Sequence, residues 1–390
     1  MTSQKTQSSI STRRNDVDWL RVLAVLLLVP FHAALVFVLN PNSIVYIKDT
    51  VNSSFLDHMD GFIHQFHMPL LFALAGMSTA FALGKRSVTQ YLNERGLRLL
   101  APFLFGLAVL VPPMTYITQI AAGKTLTIWQ HYANFFTIGP DLSGIQGTLT
   151  PAHLWFIMYL LLFSLVGLPV FLLLKSKGSQ PAISAMGRFF EKRFALLLLV
   201  IPLAMGAAPD ILGDKNPIYY FLIFICGFVL VTDSRYQKAI DRDWPIYLGL
   251  GVVLEIVRQT WNPGFPQWSA QWLAYGLIVE QLTRWILVLA ILGMGHRWLN
   301  RRSPALNYLS EAAYPFYILH LLVLTAVSYT VIQIETVIAI KYFLIVLATY
   351  GFTFLIYEGA KRVSALRFLL GMKTHLKPAV IPAGATAPHN

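Results

Sequence analysis

The stretch DVDWLRVLAVLLLVPFHAAL, residues 16–35, decides the fold. Its middle, residues 22–31, carries no charged side chain, and with the apolar residues that follow it gives a segment from Val17 to Leu39. A helix of about 20 residues crosses roughly 30 Å of hydrocarbon, so this segment is long enough to span a membrane. It follows Arg13 and Arg14, as a signal peptide would, but no small-residue cleavage site comes after it. Arg21, Pro30 and His32 would be useless in a disposable leader, so the segment reads as a permanent helix.

Similar segments recur down the chain: Gly61–Leu83, Leu97–Ala121, Ala152–Leu174, Phe194–Ala208, Pro217–Val231, Trp244–Gln259, Trp272–Gly295, Ala313–Ile334 and Thr336–Glu358. With the first they make ten, three of them short. Composition agrees: 56% of the 390 residues are hydrophobic, mean hydropathy is +0.59, and 12% are charged against about 25% in a soluble domain. The fold class is therefore all-α, a polytopic integral membrane bundle of about ten transmembrane helices, and an ordinary globular enzyme is excluded.

Lys and Arg are retained in cytoplasmic loops, which tests this topology. With the amino terminus inside, 24 of the 30 basic residues fall on the cytoplasmic side, among them Lys5, Arg13, Arg21, Lys85, Arg95, Arg98, Arg193, Arg242, Arg301 and Lys377. The outer loops hold Lys48, Lys124 and Lys215; Arg258, Arg284 and Lys341 lie within or beside spans. Both termini are thus expected in the cytoplasm. The net charge of +12 reflects topology, and nucleic acid is not needed to explain it. Residues 1–15 read as a disordered cytoplasmic tail, 16–360 as the membrane domain, and 361–390 as a basic, then Pro/Ala-rich, cytoplasmic tail. A single cysteine, Cys226, excludes an intrachain disulfide. The scattered histidines show no metal-ligand spacing, so no metal is expected.

Ionisable groups at hydrocarbon depth cost at least about 2.5 kcal/mol each and mark candidate sites. Arg21 and His32 are eleven residues apart. At about 100° per residue they share one helix face, separated by about 16 Å. Either Arg21 is a topology anchor and His32 a satisfied core histidine, or the face is a slot for a ligand with an anionic head and a reactive end that His32 deprotonates. FIHQFHMPLLFALAGM places His64 and His67 near the outer end of the second span, ahead of Pro69 and Gly76. Arg95 and Arg98, one turn apart, can grip phosphates or serve as snorkelling anchors. His153 and Trp155 open the fourth span, where a belt aromatic beside a solvated histidine is the plain alternative.

In SEAAYPFYILH, Tyr314, Tyr317 and His320 form a stripe at one-turn spacing, a hydrogen-bond chain facing the bundle interior. Glu255 with Arg258, and Glu280 with Arg284, suit intrahelical ion pairs. The loop WNPGFPQWSAQW, with Trp261, Phe265, Trp268 and Trp272, reads as interfacial anchoring, or alternatively as a sugar-stacking platform.

Together DVDWLRVLAVLLLVPFH, FHMPLLFALAGMSTAF, ERGLRLLAPFLFGLAVLVPP, HLWFIMYLLLFSLVGLP and SEAAYPFYILH resemble the acyltransferase-3 superfamily of integral membrane acyltransferases, in family order from residue 16 to 320. Within it the glucan-modifying branch is the most similar. The resemblance implies a ten-helix enzyme of the bacterial cytoplasmic membrane. It would move a succinyl or acetyl group from cytoplasmic acyl-coenzyme A, a donor substrate and not a resident cofactor, to a hydroxyl of an extracytoplasmic glycan. It assigns Arg21 and His32 to the essential pair and Arg95 and Arg98 to the cytoplasmic mouth. His153, Tyr317 and His320 fall in its later motifs. On this reading coenzyme A docks on Arg95, Arg98 and Arg21, while His32, helped by Tyr317 and His320, acts as base. His153, Trp155 and His67 would face the acceptor. An acyl-histidine relay is the variant. The rival class is a secondary transporter or flippase with a histidine proton relay, which predicts two related halves; no such symmetry is visible in the sequence.

Overall fold

The computed structural model of the chain describes residues 14–39, 47–139, 147–209, 211–261, 264, 266 and 269–373. Lys5, Arg13, Lys377, Phe265, Trp268 and most of both tails lie outside the described residues. Of the described residues 81% are helical, and none is in a strand. The helices are α1 Asn15–Ala34, α2 Ser54–Lys85, α3 Val88–Ala121, α4 Ile128–Phe135, α5 Trp155–Val166, α6 Leu168–Lys175, α7 Gln180–Phe190, α8 Ala195–Ala207, α9 Pro217–Val229, α10 Ser234–Thr260, α11 Leu282–Leu299, α12 Pro304–Val331, α13 Ile338–Ala360 and α14 Ser364–Leu369. Ala270–Tyr275 and a π-helical turn, Gly276–Gln281, lead into α11.

Helix covers each of the ten apolar segments, and the protein is a multi-pass membrane protein. Five helices, α1, α2, α3, α12 and α13, are long and apolar enough to cross a bilayer individually, and up to seven crossings result if two bent pairs each count as one. The difference from ten has physical causes. Pair α5 and α6 bends by 51°, the pair α9 and α10 bends by 105°, and α8 is a short apolar helix. Past residue 360, where a tail was expected, the chain adds α14 and packs back on α3, burying Leu370 and Met372.

Helix α1 is the centre of the bundle, packed by α2, α11, α12 and α13, with Val29 and Ala33 fully buried. Its most apolar window is 72% buried, whereas that of α13 is 22% buried, so α13 is an outer helix. Small residues allow the tightest crossing, of α2 on α9. A Cβ on Gly76 would sit 2.0 Å from the Phe224 carbonyl oxygen, and one on Gly227 would sit 2.0 Å from that of Ala73. Backbones that close need glycine, the usual device where lipid supplies no hydrophobic drive between helices.

Residues 47–53 close over the C-terminal end of α1. Lys48 Nζ donates to the carbonyl oxygens of Leu35, 2.7 Å, and Val38, 3.2 Å, satisfying helix-end acceptors. Asp49 accepts from Lys341 Nζ of α13 at 2.7 Å, and that ammonium also donates to Ile332 O at 3.1 Å. Lys341 and Lys48 are thus spent on structure.

Candidate functional site

The site begins with a proline. Pro30 has no N–H, so it leaves the Leu26 carbonyl of α1 without its helical donor. In hydrocarbon an unmet carbonyl costs several kcal/mol. Tyr350 of α13 supplies the bond, its hydroxyl donating to Leu26 O at 2.7 Å, while Tyr342 donates to Pro30 O at 3.3 Å. Two residues before Leu26, His67 Nε2 donates to Ala24 O at 2.7 Å. These bonds fix α1 just before His32, which is buried.

Four histidines from four parts of the chain meet there. The rings of His32 and His320 stack at 5.4 Å with 20° between planes, and His153 lies edge-on to His320 at 5.3 Å. His67 approaches through Phe31, whose ring stacks on it at 6.0 Å and sits 5.0 Å from His32. Backbone carbonyls fix the tautomers, because a carbonyl only accepts. His153 Nε2 donates to Ile318 O at 3.0 Å and His320 Nδ1 donates to Tyr317 O at 2.7 Å. In the neutral rings the other nitrogens, His153 Nδ1 and His320 Nε2, therefore carry bare lone pairs. Both are buried and accept no hydrogen bond among the described residues. Two orphaned basic nitrogens a ring apart are a place for a hydroxyl proton to go. Among the described residues no group of three or more His, Cys, Asp or Glu is disposed to hold a metal ion.

The expected residues divide in two. His32, His67, His153, Tyr317 and His320 are brought together, Tyr317 by donating its hydroxyl to the His153 carbonyl. Tyr314 leaves the anticipated stripe: its ring lies against Gly371 beyond α14, and its buried hydroxyl meets no hydrogen-bond partner among the described residues. Trp155 joins a different group, with Tyr159 at 5.2 Å and Tyr220 at 5.4 Å. Arg21 is 38% exposed and pairs with Asp18 at 2.7 Å. Arg95 bonds Thr79 at 3.0 Å and lies 5.2 Å over the Tyr91 ring, while Arg98 is exposed. A π-helical turn at Gly96–Leu100 widens the helix between the two arginines, so a one-turn spacing in sequence does not make a matched pair.

The two supposed ion pairs also part ways. Arg258 grips Glu255 with two bonds, 2.8 and 2.7 Å, and adds Gly61 O at 3.1 Å. Glu280 and Arg284 form no ion pair. The π-helical turn ending at Gln281 separates them, and Arg284 reaches instead to Gln65 of α2, with Nε 3.3 Å from Oε1. A cavity of about 480 Å³ by Asn15, Arg302 and Asn307 and another of about 390 Å³ by Phe55, His58 and Gln259 are lined by none of the four histidines. Sequence reading missed Phe31, Gln65, Tyr342 and Tyr350. Pro30 was the available signal for the tyrosines, since a mid-helix proline obliges some outside group to meet a carbonyl.

A family model described as an acyltransferase domain matches residues 14–358. The chain is also 22% identical over 389 residues to proteins called glucans biosynthesis protein C from Salmonella agona, Salmonella dublin and Salmonella enteritidis. That alignment covers 94% of this chain and 96% of each relative. No solved structure matches the chain. With a match that takes in every helix from α1 to nearly the end of α13, the chain belongs to the acyltransferase-3 family and is a membrane acyltransferase.

Proposed function

We propose that the protein is an O-acyltransferase of the bacterial inner membrane. It crosses the bilayer ten times with both termini in the cytoplasm, and it moves an acetyl or succinyl group from cytoplasmic acyl-coenzyme A to a hydroxyl of an extracytoplasmic carbohydrate. The relatives' name makes a periplasmic glucan the first acceptor to test. One observation carries the chemistry: the buried His153 and His320 each keep one ring nitrogen bare beside His32.

His320 Nε2 takes the proton of the acceptor hydroxyl as its oxygen attacks the thioester carbonyl carbon. A C–O ester bond forms, the C–S bond breaks, and the imidazolium returns its proton to the departing thiolate, so protons balance. His32, which the sequence reading makes the base with help from Tyr317 and His320, stacks on His320 as the second imidazole against the reacting atoms. Tyr317 positions His153 through that residue's backbone. Arg95 and Arg21 offer cations for the phosphates of coenzyme A, and Arg98 adds a third on the same helix as Arg95. His67 and Trp155 line the acceptor side.

The test is transfer from labelled acetyl- and succinyl-coenzyme A to glucan in membranes carrying wild type, His32→Ala or His320→Ala. Loss of labelling in normally inserted variants is the expected result. Wild-type rates in both variants would remove the histidines from the chemistry.

A further inference from the structure

Arg284 is a half-buried charge on a membrane helix left unexplained by the reaction and by the fold. Its guanidinium has five N–H donors. Among the described residues it forms no ion pair with a carboxylate; its polar neighbours are neutral, Gln65 at a long 3.3 Å and Tyr219, whose ring centre lies 5.9 Å from its charge. Gln65, Tyr219 and Tyr220, all buried, surround it, and Glu280 lies close enough only for a distant field. Arg258, on the adjacent packed helix, shows what a satisfied arginine looks like here, with its bidentate carboxylate. A cation held at membrane depth without an anion costs about 2.5–3.5 kcal/mol, a cost tolerated where something else supplies the anion.

Position says what that something is. His64 is within the field of Arg284, and the Phe31 ring stacks on His64 at 6.3 Å on its way to His67 and His32. Arg284 is thus linked to the histidine cluster through two rings, His64 and then Phe31. We propose that Arg284, with Gln65 and Tyr219, is an anion subsite that selects substrates bearing a carboxylate a few bonds from the reacting carbonyl or hydroxyl. The inference rests on the acyltransferase reading above. The carboxylate is the free end of a dicarboxylic acyl group, or an acidic substituent on the acceptor. Planar two-point recognition of a carboxylate is what a guanidinium does best.

The experiment uses the full chain in detergent, as wild type, Arg284→Gln and Arg284→Lys. One arm compares kcat/KM for succinyl- and acetyl-coenzyme A, and a second compares a neutral oligosaccharide with its uronic-acid counterpart. In Arg284→Gln the preference for the charged substrate in one arm falls about ten-fold or more, the size of one lost charge-assisted hydrogen bond, and Arg284→Lys keeps part of it. Which arm collapses identifies the source of the carboxylate. Preferences in both arms within about two-fold of wild type overturn the subsite while leaving the transferase intact. A third arm needs no turnover: monomethyl succinate, but not dimethyl succinate, raises the Tm of wild type and not of Arg284→Gln. If wild type transfers nothing, this arm decides. A selective shift keeps the subsite and discards the transferase, and an equal shift or none in the two proteins discards the subsite.

Discussion

The seam over the end of α1 and the histidine cluster inside it bury polar groups at similar depth and treat them in opposite ways. In the seam every group is answered: Lys341 has Asp49 and Ile332 O, and Lys48 has two helix-end carbonyls. In the cluster each of His153 and His320 is answered on one nitrogen and left open on the other. A buried polar group without a partner costs about 1–3 kcal/mol. A closed network therefore marks architecture, and an open one marks a place where a substrate group completes the bonding.

That contrast can be broken by mutation. Replacing His320 with Ala should lower kcat/KM by about 10²–10⁴-fold, the usual share of a general base, while leaving the unfolding midpoint level or slightly raised. A parallel fall in stability would make the cluster architectural. Asp49→Ala should do the reverse. By stranding the Lys341 ammonium it costs about 3–5 kcal/mol of stability, read by thermal or denaturant unfolding in detergent, without a selective effect on catalysis. Tyr350→Phe comes next, at about 1 kcal/mol, with a measurable drop in kcat because the Leu26 carbonyl next to the site loses its donor.

The smallest effect is on pH. Burial alone would raise the Asp49 carboxyl, but its hydrogen bond with Lys341, the Val51 N–H, the Lys341 charge and the Thr50 hydroxyl together outweigh this and hold it below the ordinary 3.8. A depressed folded value means that the stabilisation is complete above about pH 4 and is lost as pH falls through the folded value. The unfolding midpoint should thus gain nothing from this pair between about pH 5 and 8, and should decline in acid more for wild type than for Asp49→Asn.

Much of this was legible in the chain because hydrocarbon makes ionisable residues expensive. His32, His67, His153 and His320 announce themselves as exceptions in apolar runs, and the structure gathers them from positions nearly 300 residues apart. What stayed hidden depends on departures from ideal helix. Spacing of four joins Glu280 to Arg284 only if the turn is α, and here it is π. The same departure separates Arg95 from Arg98. Bends of 51° and 105° blur the count of crossings, since a hydropathy window reads length and not direction. Tyr342 and Tyr350 drew no reading from the sequence, because nothing in their own neighbourhood points across to α1.

Those two tyrosines have a mechanical consequence. The rod they project from is the least buried of the five long helices, and the carbonyls they hold, of Leu26 and Pro30, belong to the two turns before His32. Any tilt imposed on that outer rod by a thinner or thicker bilayer is relayed through two phenol oxygens to the imidazole at the heart of the bundle, which makes membrane composition a setting on the alignment of the reacting groups.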